Sequence, residues 1–118
     1  MDMPIIVNDN GDISLFANIK DAELYLEPDD VKQNAYEIFN RNGDLLKPII
    51  LKNSKKFLFG NFIKENIQIT PHIPNINDRE YLFKLLFNFC NNIKLEVPKE
   101  INLNDLIDKL IKEIGFTK

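Results

Sequence analysis

Apolar and polar residues alternate in two rhythms, and each rhythm predicts a different kind of element. Ile5-Ile6-Val7 is a β-branched run that stops at Asn8-Asp9-Asn10-Gly11, a turn-forming cluster. Ile13 to Phe16 then reads as a second strand, giving an N-terminal hairpin. From Asn18 the period lengthens. Ile19, Ala22, Tyr25 and Leu26 share one helical face, Lys20, Glu23 and Glu27 the other, with Asn18 as N-cap and Asp21 in the first turn. Pro28 is expected to end that helix, because the residue before a proline avoids the α region. Tyr36–Phe39 and Leu45–Leu51 return to strand character, joined by Asn40-Arg41-Asn42-Gly43, whose Asn-Gly pair accepts positive φ. Pro48 cannot donate to a ladder, which predicts an edge or a bulge there. Residues 56–62 and 65–70 predict one or two further strands, and Pro71-His72-Ile73-Pro74 an extended link.

The last forty residues are helical in period. Asn77 and Glu80 have capping-box spacing, with Ile76 and Tyr81 at the staple positions, so a helix is expected to open at Asn77. It carries two apolar stripes, Leu82, Leu85, Leu86, Phe89 and Ile93 on one side and Phe83, Phe87 and Cys90 on another. A helix apolar this far round is buried on more than one side; packing between the sheet and the last helix is expected, and lending a face to another chain is the alternative. Leu103, Leu106, Ile107, Leu110, Ile111 and Ile114 form one stripe of a C-terminal helix, and Gly115-Phe116 reads as a Schellman stop with Phe116 folding back. The expected fold is α+β in a single domain spanning 1–118: a hairpin-rich, mostly antiparallel sheet with one short N-terminal helix and two C-terminal helices packed on it.

Charge changes the picture by its position. Residues 1–46 hold ten acidic and three basic residues, while residues 47–64 hold Lys47, Lys52, Lys55, Lys56 and Lys64 and no acid. An acidic half repels phosphate and attracts basic partners. The lysine run, which lacks an arginine fork, reads as a protected sheet edge. No apolar run approaches a membrane span, Met-Asp-Met-Pro has no signal-peptide character, and a lone cysteine fits a reducing compartment, so the expected location is the cytoplasm.

Candidate chemistry is sparse. The one histidine, His72, lies between two prolines, and Cys90 lies among Leu86, Phe87 and Phe89, where a thiol is hard to ionise. Asp9, Asn10 and Asp12 around Gly11 resemble a calcium loop only until the twelfth position, which is Lys20; a hairpin turn explains them better. Glu27, Asp29 and Asp30 could pair as acid and base, but carboxylates around a proline at a helix end are ordinarily solvated. No phosphate loop, metal cluster or cofactor motif is present. A catalyst is not expected.

Gly11-Asp12-Ile13 to Phe16, Asp21-Ala22-Glu23 with Leu26-Glu27-Pro28 and Asp30-Val31, Tyr36 to Phe39, and Asn42-Gly43-Asp44-Leu45-Leu46 follow one another in an order with a precedent. Together they resemble a group of small bacterial proteins with the pattern G-D-I-x-x-F…D-A-E-x-Y-L-E-P-x-D-V followed by a Y-x-x-x-x-x-x-G-x-L-L hairpin. That group is associated with immunity proteins of contact-dependent inhibition and related polymorphic toxin systems. The resemblance implies a protein that binds and neutralises a cognate toxin, possibly a nuclease, one to one and without catalysis. Glu23, Glu27, Asp29, Asp30 and Asp44 are the expected toxin-binding acids. Neither nucleic acid nor membrane is an expected partner, and a homodimer is compatible. The alternative is a self-associating adaptor that uses the apolar helix 77–93.

Overall fold

The computed structural model describes residues 2–57 and 60–117. Strands β1 (Ile5–Asp9) and β2 (Asp12–Phe16) form the expected hairpin, closed by Asn10 and Gly11 at positive φ, with the Asn8 side chain accepting from Gly11 N at 2.8 Å. Strand β3 (Tyr36–Phe39) pairs with the other side of β1, and β4 (Leu45–Phe57) and β5 (Gly60–Pro71) complete an antiparallel sheet of order β2-β1-β3-β4-β5.

Period-two alternation sends neighbouring residues into two separate cores. Ile5, Val7, Phe16, Ile38, Leu46, Ile67 and Ile69 face helix α1 (Ile19–Tyr25), which contributes Ala22, with Leu26 just beyond it. Ile6, Ile13, Leu15 and Phe39 face helices α3 (Arg79–Asn92) and α4 (Leu103–Ile114). Helix α3 turns Leu82, Leu86 and Cys90 fully inward, while Phe83 and Phe87 stack at 5.8 Å and stay half-buried against the same core. Both of its stripes are therefore used against the sheet and α4.

Four local expectations are corrected. Pro28 does not merely end the first helix; it opens a second, short one, α2 (Pro28–Lys32), at the first helical position, where a missing N–H costs nothing. The N-cap of α3 is Asp78, which accepts from Tyr81 N at 3.0 Å, because Asn77 is drawn into a bridge with Asp44. Gly115 has a left-handed φ of 72° but an extended ψ, and Thr117 N donates to Leu15 O at 2.8 Å, so the tail runs along β2 instead of folding back. The Schellman motif belongs to α3: Leu95 N reaches Cys90 O and Lys94 N reaches Asn91 O, with Lys94 at positive φ. Finally, β4 runs on to Phe57 and pairs with β5 as far as Phe57↔Gly60; the strand expected over 56–62 includes positions 58 and 59, which lie outside the described residues.

Pairing of β4 with β3 stops at Leu46, two residues before Pro48. Ile69 N donates away from the hairpin, to Glu23, and Pro48 is its cross-strand partner, so the Pro48 nitrogen also faces away from β5. A proline there blocks β3, not β5. Beyond that point β4 and β5 leave the five-stranded body as a two-stranded arm, and the molecule is 60 Å long against 30 and 22 Å across. The lysine run is thus not one edge of the body but an arm: Lys47 and Lys52 lie on β4 and Lys64 on β5. No helix among the described residues is long and apolar enough to cross a membrane.

Candidate functional site

The order of elements gathers acids at one end of the sheet. Strand β1 ends there at Asp9, β2 begins at Asp12, and α2 leads into β3 at Tyr36, which stands opposite Asp9. Glu27, Asp29 and Asp30 come to this end because Pro28 fixes the helix start and acids in a first turn are favoured by the dipole. Asp9, Asp12, Glu27 and Asp29 are exposed, and Asp30 and Glu37 half-exposed. Among the described residues, no Lys or Arg forms an ion pair with any of the six; Lys32, on α2 itself, turns to Glu65 at 3.0 Å. Between the β1–β2 turn and the link into β3 lies a concavity of about 560 Å³, lined by Asp9, Asn10, Asn34, Glu37 and Tyr81.

Two tyrosines organise these acids. The Tyr36 hydroxyl donates to Asp30 Oδ2 at 3.1 Å and accepts from Glu27 N at 3.4 Å, tying α2 to β3. Burial and then the Asp30 carboxylate push its ionisation up to about 12. The Tyr81 hydroxyl donates to Glu37 Oε1 at 2.6 Å, the oxygen that also accepts from Asn8 Nδ2 at 2.8 Å. That hydrogen bond to Glu37 is the main reason Tyr81 is likewise pushed up to about 12. The acidic end is therefore held in shape by neutral phenols, which leaves its net negative charge uncompensated.

The five acids expected from sequence divide. Glu27, Asp29 and Asp30 are together on α2 and at its cap. Glu23 points elsewhere, accepting from Ile69 N at 2.6 Å on the outer edge of β5. Asp44 sits past the opposite end of β3, where it accepts from Asn77 Nδ2 at 2.8 Å and Asn40 Nδ2 at 3.0 Å; these two bonds hold its carboxyl below the ordinary range. Both are occupied in holding the fold. Asp9, Asp12 and Glu37 are additions that sequence reasoning missed, although Asp9 and Asp12 flank the Asn-Gly turn and Glu37 alternates with the buried Ile38.

His72 Nδ1 lies 2.8 Å from the Pro74 carbonyl, and Cys90 is buried in the α3 core, where desolvation pushes its thiol up. No group of three or more His, Cys, Asp or Glu among the described residues is placed to hold a metal ion. The arrangement can present a negative surface that includes one concavity, lined by Asp9 and Glu37. Comparison with protein-family models, with curated proteins and with solved structures finds no match to this chain.

Proposed function

We propose that this protein acts by binding: it covers the basic surface of a cognate toxin domain, one to one, and blocks it without performing chemistry. The observation that carries the reading is the acidic end of the sheet, where Asp9, Asp12, Glu27 and Asp29 are exposed, Asp30 is half-exposed, and none is ion-paired to a Lys or Arg among the described residues. Complementary charge steers association and suppresses wrong partners, and a basic nuclease cleft is the kind of surface a cluster of exposed acids can occupy in place of phosphate. The encounter is placed in the cytoplasm, with neither nucleic acid nor membrane as partner.

The test is co-expression with the C-terminal domain encoded by the gene immediately upstream, tagged on that domain alone. Co-purification, with toxicity when the upstream domain is expressed by itself, supports the role. Reversing Glu27, Asp29 and Asp30 together to lysine should slow association by at least about tenfold at low salt and flatten its salt dependence, with the fold intact. An association rate that ignores those changes would move the interface off α2.

A further inference from the structure

Asparagine precedes glycine at two places in this chain, Asn10-Gly11 and Asn42-Gly43. Such a pair is chemically labile, because the glycine backbone nitrogen can attack the asparagine side-chain carbon and no Cβ stands in its way. Attack needs two freedoms. The side chain must turn onto the following peptide, and that peptide must leave its hydrogen bond and rotate. The two turns differ in both respects. Asn10 and Gly11 are exposed at the tip of the β1–β2 hairpin. Among the described residues no hydrogen bond holds the Asn10 side chain, and Gly11 N is held by a single bond, to the Asn8 side chain at 2.8 Å. Nothing lies within 4 Å of the place a Gly11 Cβ would occupy. At the other pair Gly43 is buried, with Arg79 Cα 2.9 Å from its missing Cβ. Asn42 bonds to Asp2 through Nδ2, to Asn40 Oδ1 through its N at 2.9 Å, and to Asn77 Nδ2 through its O at 2.8 Å. Gly43 N donates to Asn40 O at 3.1 Å, and Gly43 O accepts from Asp78 N at 3.0 Å. Rotating that peptide means breaking the junction with α3.

We infer that Asn10 is a site of spontaneous deamidation in the folded protein, and that the fold protects Asn42. Local opening of a hairpin tip frees the first pair, whereas the second is released only when a larger unit opens. The Gly11 nitrogen gives its proton to solvent and bonds to Asn10 Cγ. The Cγ–Nδ2 bond breaks, and that nitrogen takes up a proton and leaves as ammonia. Water then opens the cyclic imide. Cleaving the new Cγ–N bond leaves aspartate, and cleaving the original backbone C–N bond leaves isoaspartate, with the main chain routed through the side-chain carbons. Ammonia leaves and water enters, with no oxidation or reduction. Either product sets a carboxylate beside Asp9, in the concavity that Asn10 lines. The negative end of the sheet thus gains charge as the chain ages, whatever it meets there.

The inference does not depend on toxin binding and is tested without any partner. The full chain is held in mildly alkaline buffer, and both sites are followed in the same sample by peptide mapping with mass spectrometry. In urea, where both turns are open, the two asparagines should convert at similar rates. In the folded chain Asn10 should convert at least about tenfold faster than Asn42. Gly11→Ala crowds the attacking nitrogen and should slow conversion of Asn10 in urea, where turn geometry plays no part, while Asn42 keeps its rate. Equal rates at the two sites of the folded chain overturn the inference. So does conversion of Asn10 that is confined to the denatured chain, or a Gly11→Ala chain that converts as fast as wild type in urea.

Discussion

The two ends of strand β4 are built from similarly polar sequence and behave in opposite ways. At its start, every polar side chain is spent on the fold. Asn40 Oδ1 accepts from Asn42 N and Asp44 N at 2.9 and 3.0 Å, Asn77 Nδ2 bonds to Asn42 O and Asp44 Oδ1, and Arg41 reaches across to Asn104 and Asp108 on α4. Past the Ile50↔Ile67 rung the same strand continues for about 23 Å as a ribbon paired with β5 and not with β3. What separates the ends is side-chain length and partner distance. Asn, Asp and Gly close bonds with their own turn, whereas the exposed Lys52 extends its charge into water. Side-chain hydrogen bonds that hold the fold are therefore concentrated at the first of these ends.

The largest effect should come from breaking the closed end at Gly43. Its φ is 84°, and a Cβ there would stand 2.9 Å from Arg79 Cα at the start of α3. Gly43→Ala combines a left-handed alanine with a backbone clash, together about 2–4 kcal/mol. Thermal unfolding should show a fall on the order of 10–20 °C for a domain this size. Gly11, also at positive φ, has nothing within 4 Å of its missing Cβ, so Gly11→Ala serves as the control for conformation alone and should cost clearly less. Equal losses at the two glycines would mean that the approach to Arg79 contributes nothing.

Asp44 sharpens the comparison through pH. Hydrogen bonds from Asn77 and Asn40 hold its carboxyl below the ordinary aspartate range in the folded chain. A depressed folded value adds stability above the unfolded value, near pH 4, and that stability disappears as pH falls through the folded one. Asp44→Asn should therefore melt below the wild type at neutral pH, with the gap closing on acidification. A gap at Asp44 that is constant from neutral to acid would assign its role to shape rather than charge.

What was legible in the sequence follows the same division between local and distant partners. The Asn10-Gly11 hairpin, the span of β3 and the stripe of α4 rest on neighbours a few residues apart, and each folds where its pattern places it. Glu27, Asp29 and Asp30 stay together because one turn of helix holds them. Glu23 and Asp44 leave the set because their partners, Ile69 N and the Asn77 amide, lie 46 and 33 residues away along the chain. The same distance hid the true cap of α3: Asn77 has the right spacing for the role, but Asp44 competes for its side chain and Asp78 takes it over. The arm was illegible for a different reason. Its alternation matches that of a covered strand, and only the pairing of β3 with β1, fixed far upstream, shows that β3 is too short to accompany β4 past Pro48.

The smallest effect is expected where the comparison is most exposed to refutation, at the arm itself. Replacing residues 54–63 with Asn-Gly leaves Asn53↔Lys64 as the closing rung. It removes an even number of rungs, so the new turn closes on the same kind of hydrogen-bonded pair as the old one. The core rows Leu46, Ile67 and Ile69 and the Lys32–Glu65 pair all remain. The melting temperature should stay within about 3 °C of wild type, because the core rows are kept and a shorter hairpin loses less chain entropy on closing. A loss comparable to that of Gly43→Ala would show that the arm is part of the body's stability, and the contrast between the two ends of β4 would then fail.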